Sequence, residues 1–535
     1  MTTEAAATRP AICSRFTVAP PVADGGAWIL KSERGDVRRL GKDLGRYLVD
    51  PSPETIWNED ELALLSGAAS RLHLHCTSGD CEWETPGTRP ATTVPRIAVP
   101  SALKIQLNLL RFSRDRSWVA SLSSTLTRPL VMAAFTLIVL GGLIAGLVQG
   151  AVVIEALNSS IEITSLIGVL LGVLLTSLVH EFAHAVLLLR SGVRPRRFGV
   201  MLFFFVPAFF CEVTEAWRLP PRKRVAVALG GVFSQLAIAG AAMITAVFLP
   251  WAAAQPLIIF AVVTYITAVF NLIPFIKLDG YLALMGGLDK PFLLDHAKQA
   301  SRRVLSRTLF GSEENHKVHP AMLMYGIVSA VFPFLVLVIV LRTWLDMIQG
   351  WGLVGSLLIG CLMIYIAWML VSAAFSLLRE MVDRSIHPWK SAWVLAATAV
   401  GLTLLMQTPL QYSVVGAYQV DEVGDVKFLA AETIDRDPLI EGATVEFRPR
   451  GLITTQTQGT ARLGAAETDF AETSPLIFGP VDMSLVDIPL MQVLEINLDD
   501  VAMLDGAPAQ GQALVEGKTM PLWEFLLKKG FGSGL

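Results

Sequence analysis

Residues 166–189 read LIGVLLGVLLTSLVHEFAHAVLLL, an apolar run long enough to cross a bilayer that carries His180, Glu181 and His184 near its end. Two histidines four apart share one helix face, because each residue advances a helix by about 100°. Such a face holds a metal ion, and Glu181 beside it handles a proton. An ionisable side chain at the bilayer centre costs roughly 2.5–3.5 kcal/mol on insertion scales, and here three proton-binding groups fall within five residues. A bound metal is the simplest offset to their desolvation, so the run points to metal-assisted hydrolysis inside a membrane.

The rest of the 535-residue chain agrees with a membrane setting. Hydrophobic residues make up 53% and charged residues 17%, with a mean hydropathy of +0.54. This balance excludes an ordinary soluble globular protein and fits a multi-pass one. Residues 1–24 hold no continuous apolar core, so no signal peptide is expected. The net charge of −3 carries little meaning because the charges are segregated along the chain. Cys76 and Cys81 sit in HLHCTSGDC with His73 and His75. A small zinc site or a redox pair is conceivable there, but the spacing fits no standard zinc pattern, and a loop with reduced thiols is the preferred reading.

Seven apolar segments follow one another at 129–150, 163–189, 225–249, 256–276, 321–341, 353–378 and 391–407. The stretch FGVMLFFFVPAFF (198–210) is too short for a span and is broken by Pro207; it reads as a re-entrant hairpin or an interfacial strand. Lysine and arginine set the orientation. Residues 190–224 carry eight basic residues and residues 277–320 carry seven, whereas 151–162 and 250–255 carry none. The N-terminus is therefore expected in the cytosol and the C-terminus outside, as an odd number of spans requires.

Three domains are expected: 1–128, 129–407 and 408–535. In the first, WILKSERGDVRRL suggests strands with a turn and NEDELALLSGAASRL a short helix. The tract 101–122 mixes basic and apolar residues; it lies along the cytosolic membrane face or links domain to membrane. The last domain holds 19 acidic against 8 basic residues. Its alternating runs ATVEFRPR and SLVDIPLMQVLEINL suggest strands, and PLWEFLLKKG a short amphipathic helix.

Two histidines leave a catalytic zinc short of its usual three protein ligands. NLIPFIKLDGYL (271–282), at the end of the fourth segment, supplies a third candidate in Asp279. Pro274 disturbs the helix one turn earlier and Gly280 permits a tight turn. His184 lies six residues inside Arg190, and Asp279 two residues beyond Lys277, so both motifs sit at similar depth toward the same side.

The pair HEFAH (180–184) and NLIPFIKLDG (271–280) resembles the site-2 protease family of intramembrane zinc metalloproteases. That family carries H-E-x-x-H on one membrane helix and N-x-x-P-x-x-x-L-D-G two helices later, and both patterns match here. The resemblance covers roughly residues 160–290. It implies that His180, His184 and Asp279 bind Zn2+, that Glu181 is general base and then general acid, and that Asn271 orients or stabilises the substrate carbonyl. FGVMLFFFVPAFFCEVTEAWR looks like the family's membrane-embedded hairpin, where an unwinding substrate pairs as a strand. RVAVALGGVFSQL (224–236) looks like the start of the next core helix. The chain departs from well-known members in having no PDZ-like insert and no CBS-like tail. It looks more like a bacterial branch of peptide zinc metalloproteases linked to peptide export, and GATVEF and GQALVEGKTMPL are similar to segments of membrane-fusion adaptors.

The expected fold is thus an all-α polytopic membrane protein of about seven transmembrane helices with a site-2 protease core. A small N-terminal soluble domain and a β-rich C-terminal one flank it. The expected function is hydrolysis of peptide bonds in or near transmembrane segments of a membrane-bound polypeptide, in a bacterial cytoplasmic membrane. Expected partners are that substrate, the lipid bilayer and an export-machinery component at the C-terminal domain, with no nucleic acid. The rival is a non-proteolytic membrane module that binds an exported peptide or its exporter; a purely structural zinc site would not need Glu181. A metal transporter would need polar ligands on more spans. Glu212 and Glu215 read as solvated surface acids, and His296, His316, His319 and His387 as solvated histidines.

Overall fold

The computed structural model of the chain describes residues 16–21, 27–32, 37–49, 97–101, 104–110, 117–195, 197–203, 206–310, 318–349, 351–383, 388–421, 424–432, 434–453, 456–464, 469–482, 491–504 and 507–531. The expected helix at 58–72, the Cys76/Cys81 cluster, His316 and His387 lie outside these residues.

The chain opens with β1 (Phe16–Ala19), β2 (Trp28–Ser32), β3 (Val37–Leu40) and α1 (Lys42–Val49). Then come β4 (Ile97–Ser101), β5 (Lys104–Leu110) and α2 (Ser117–Leu126). The membrane region begins with α3 (Pro129–Val148), α4 (Gly150–Asn158), β6 (Ile161–Glu162) and α5 (Ile163–Arg190). A hairpin of β7 (Phe198–Phe203) and β8 (Val206–Cys211) and a 3-10 helix (Thr214–Arg218) lead to α6 (Pro221–Ala246), α7 (Trp251–Leu272) and α8 (Asp279–Gly287). The helices continue as α9 (Leu293–Phe310), α10 (Pro320–Gln349), α11 (Gly352–Asp383) and α12 (Pro388–Met406). The C-terminal domain follows with β9 (Pro409–Val420), β10 (Val426–Ala431), β11 (Thr444–Arg448), β12 (Gly459–Leu463) and β13 (Asp469–Thr473). It ends with β14 (Val481–Asp482), β15 (Met491–Met503), β16 (Gln510–Pro521) and α13 (Leu522–Phe531).

The chain is a multi-pass membrane protein. Among the described residues, five helices are long and apolar enough to cross a bilayer: α3, α5, α6, α7 and Pro320–Val340 of α10. Leu137, Leu147, Leu170 and Val331 stand exposed on their outer faces, as lipid-facing positions must. Where the sixth and seventh segments are expected, α11 and α12 are helical, but the apolar stretch described there is the shorter Val354–Ile366.

One compact unit comprises Met1–Ile144, Leu171–Ile244 and Ala261–Leu293. Within it, α6 is the most enclosed of the spans. It crosses α3 so closely that a Cβ on Gly142 would lie 2.1 Å from Gly240 Cα, the small-residue contact that lets membrane helices approach. Ser123 of α2 donates to Val186 O at 2.9 Å, tying α2 to α5. The N-terminal strands form an antiparallel β1-β2-β3 sheet, which bonds to the 3-10 helix through Ala27 N–H to Trp217 O. The tract 101–122, expected along the membrane face or as a link from domain to membrane, contains a strand. Its residues 104–110 form β5, which pairs antiparallel with β7 in a β4-β5-β7-β8 sheet.

The second unit comprises Ala145–Leu170, Thr245–Phe260 and Leu294–Leu535. Its strands form a sheet of order β10-β9-β16-β11-β12-β15-β13, and pairing of β10 with β15 closes six of them into a ring. Tyr412, Phe428, Phe447, Ile496 and Val515 fill the interior, which full closure protects from edge pairing. The short strand β14 pairs in parallel with β6, the segment ahead of α5. Ile453 N–H reaches Leu157 O at 3.1 Å, and Gln255 donates to Ser160 O at 2.9 Å.

Candidate metal centre

Helical spacing puts His180 and His184 on one face of α5, with ring centroids 4.8 Å apart and planes at 83°. Both are buried. Their Nε2 atoms lie 3.2 Å from each other. Asp279 completes the group: its Oδ2 is 2.7 Å from His180 Nε2 and 3.4 Å from His184 Nε2.

The Leu-Asp-Gly turn explains how Asp279 arrives there. Helix α7 stops at Leu272, two residues before Pro274, and α8 begins at Asp279 after a six-residue break. The first turn of α8 folds back against the end of α7, where a Cβ on Gly280 would sit 1.9 Å from Leu272 O. Only glycine allows that approach, and it sets the carboxylate at the head of α8.

Three groups around the cluster escaped sequence reasoning. His184 Nδ1 lies 2.7 Å from Val227 O. A carbonyl only accepts, so Nδ1 carries a proton, and a neutral His184 then presents its Nε2 lone pair toward Asp279. Glu181 Oε2 accepts the N–H of Cys211, the last residue of β8, at 2.8 Å. Gly231 of α6 lies flat against the His180 ring, where a Cβ would be 2.5 Å from Nε2. Backbone donors and acceptors leave no mark in a sequence, although Gly231 stands in the quoted RVAVALGGVFSQL.

The donor set suits a tetrahedral ion. Nitrogen and oxygen ligands at about 2.0–2.1 Å from zinc sit about 3.3 Å from one another at the tetrahedral angle; the 3.2 Å and 3.4 Å separations match this, while the 2.7 Å between His180 Nε2 and Asp279 Oδ2 must widen to admit an ion. Asp279 Oδ2 and the two Nε2 atoms face one another. One proton satisfies a single pair among these three atoms, whereas a cation satisfies all three. Glu181 lies beside them: its carboxylate and the two imidazoles come within 4.8 Å of one another.

Of the five site residues expected, four converge. Asn271 does not join them through any hydrogen bond seen; its amide donates to Gln235 Oε1 at 3.1 Å, and Gln235 is buried in α6. Glu212 and Glu215 are not solvated acids. Glu212 pairs with Arg197 at 2.6 Å and Glu215 with Arg218 at 3.5 Å. His296 and His319 are exposed, as expected.

The chain matches no family model, no curated protein and no solved structure.

Proposed function

We propose that the chain is an intramembrane zinc metalloprotease of the site-2 protease type, cleaving peptide bonds in or near the transmembrane segments of membrane-bound polypeptides. The observation that carries this reading is the convergence of His180 Nε2, His184 Nε2 and Asp279 Oδ2 beside Glu181. The resemblance of HEFAH and NLIPFIKLDG to that family supports it.

His180, His184 and Asp279 would hold the ion. Bound zinc supplies a Lewis acid for the scissile carbonyl and brings the pKa of a bound water to roughly 7. Glu181 takes the proton of the attacking water and returns it to the leaving nitrogen. The Cys211 N–H fixes Oε2 of Glu181, which leaves Oε1 to carry that proton. Val227 O holds the His184 tautomer. A helical substrate must unwind first, and β8 offers an edge on which the unwound segment pairs as a strand.

The membrane domain has seven spans in this reading, with α11 and α12 as the sixth and seventh, in a bacterial cytoplasmic membrane. The N-terminus is cytosolic and the C-terminal barrel extracytoplasmic. Bonds from residues 157–161 to Ile453, Pro480 and Gln255 support that topology, because they join the acidic domain to the two connections that lack lysine and arginine.

The test is a membrane-proteome comparison between cells carrying the wild type and Glu181→Gln. Glutamine keeps an acceptor for Cys211 and leaves the three ligands in place, but it cannot shuttle a proton. One or a few uncut single-pass proteins or apolar peptides should accumulate in the variant. Matching proteomes, with both proteins expressed and zinc-loaded, would overturn proteolysis in favour of a membrane binding module.

A further inference from the structure

Among the described residues, strand β8 ends its sheet, and its outer edge carries backbone groups that no described strand pairs. Register fixes which they are. Glu212 N–H returns to Arg197 O at 2.9 Å, and Arg197 and Glu212 continue the pairing of Phe198 with Cys211. Antiparallel alternation then turns Ala208 and Phe210 toward β7, and Pro207, Phe209 and Cys211 outward. Cys211 gives its N–H to Glu181, and Pro207 has none. The open edge therefore reduces to the carbonyls of Pro207 and Phe209 and one N–H, that of Phe209. It ends at the Glu181 carboxylate.

Immediately past that point lies a cavity of about 350 Å³ that includes Cys211 in its wall, within the size range of small-ligand pockets. Val213, Ala216 and Trp217 line it from the segment after β8, Ala228 from α6, and Leu282 and Met285 from α8. Its two charged neighbours are both compensated. Glu212 is paired with Arg197. Arg224 is paired with Asp289 through Nη2, its Nε and Nη1 are buried without a hydrogen-bond partner, and its guanidinium lies 4.7 Å over the Trp217 ring. A pocket with apolar walls and cancelled charges suits an apolar side chain and disfavours an ionic one.

We infer that this cavity is the specificity pocket for a large apolar side chain adjoining the bond to be cut, on a substrate strand laid along β8. The inference rests on the proteolytic reading and adds its side-chain preference. Extended peptides present alternate side chains to one face, so a strand leaving the Pro207–Phe209 edge brings a side chain over the cavity as its backbone passes Glu181. Leu282 and Met285 belong to the helix that starts with Asp279, so the pocket wall and a metal ligand are built on one element.

The test uses the zinc-loaded full chain in detergent and hydroxamate probes, read by equilibrium binding rather than turnover. Acetohydroxamate reports the metal site alone. Dipeptide hydroxamates place an Ala, Leu, Phe, Trp or Asp side chain on either side of the chelating group. In one of the two series Leu and Phe should bind about ten- to a hundredfold tighter than Ala, with Asp weakest. Ala216→Trp should flatten that series and leave acetohydroxamate unchanged; Met285→Ala should move the preference to a Trp side chain. If Ala216→Trp does not fold, Met285→Ala decides. A flat series, or a preference that Met285→Ala leaves unmoved, with acetohydroxamate bound, overturns the pocket alone. Failure of acetohydroxamate to bind the zinc-loaded wild type overturns the protease reading and the pocket with it.

Discussion

Gly231→Ala tests whether the cluster at His180 is a metal site. The added Cβ would lie 2.5 Å from His180 Nε2, 2.6 Å from Cε1 and 2.7 Å from Cδ2. Relaxed contacts of this kind need about 3.5 Å, so the ring must retreat by about 1 Å. Ligand distances tolerate about 0.2 Å. The ring is a rigid plane whose Nε2 already contacts His184 and Asp279, so it cannot yield by rotating a flexible tip. Loss of an outer contact to a ligand typically lowers metal affinity about 10–100-fold, and a displaced ligand should do at least that, about 1.4–2.8 kcal/mol. Gly230→Ala is the control. Its Cβ would meet Leu187 Cδ1 at 2.4 Å, the end of a side chain that can swing away. Both changes gain the same helix propensity, about 1 kcal/mol, so their difference isolates the ring. Zinc affinity is read by competition with a chromophoric chelator on purified full-length protein in detergent. Equal affinities for the two variants, within a factor of two, would refute the role given to His180.

Two further outcomes concern stability. Gly240→Val should lower the thermal midpoint and the folded yield, because its Cβ would lie 2.6 Å from Ile138 O on α3; Gly168→Ala, which meets nothing within 4 Å, should not. In the C-terminal domain, Lys528 bonds Asp437 and Asp435. Hydrogen bonding to Asp437, then Asp435, raises the Lys528 pKa above its ordinary 10.5. The bond to Lys528 lowers Asp437 below its ordinary 3.8. The lysine contribution is full below 10.5 and is lost as pH rises through the raised value; the aspartate contribution is full above 3.8 and is lost as pH falls through the lowered one. Wild type minus Lys528→Met, measured as hydrogen exchange in α13, should therefore be flat from about pH 5 to about pH 9 and shrink below about pH 4. A difference that peaks in acid would show that the pair does not hold the helix.

The cluster of His180, His184 and Asp279 was legible because two kinds of grammar converge on it. Spacing by four fixes His180 and His184 to one face whatever surrounds them, and Pro274 with Gly280 dictates where a helix stops and another starts. The partners of His184 and Glu181 were not legible, since Val227 O and the Cys211 N–H are backbone atoms brought in from separate elements. The amide of Asn271 is engaged with Gln235, a partner that the motif does not contain and the sequence did not reveal. The joining of β5 to the hairpin left a trace that composition hid. Lys104, Gln106 and Asn108 alternate with Ile105, Leu107 and Leu109, the period of a strand with one apolar face. Leu107 and Leu109 are exposed there. The basic residues just beyond, at 111–116, made the same tract read as a membrane-surface segment.

In the proposed mechanism the hairpin both holds Glu181 and presents the substrate edge with the same strand, and the two duties divide its backbone between them. Cys211 serves Glu181, so strand pairing must stop at Phe209, two residues short of the chemistry. Phe209→Pro tests that division. Phe209 faces away from β7, so proline there removes no ladder bond, as Pro207 on the same edge already demonstrates. It does remove the one N–H of the open edge. Phe209→Ala removes the ring alone, and Phe210→Pro, which faces β7, breaks the hairpin. A hydrogen bond contributes about 0.5–1.5 kcal/mol. Phe209→Pro should therefore slow processing of a substrate found in the Glu181→Gln comparison about two- to tenfold beyond Phe209→Ala, with zinc content unchanged. If the alanine and proline variants process it at the same rate, the substrate does not pair with β8, and the pocket beyond Cys211 must be reached by another path.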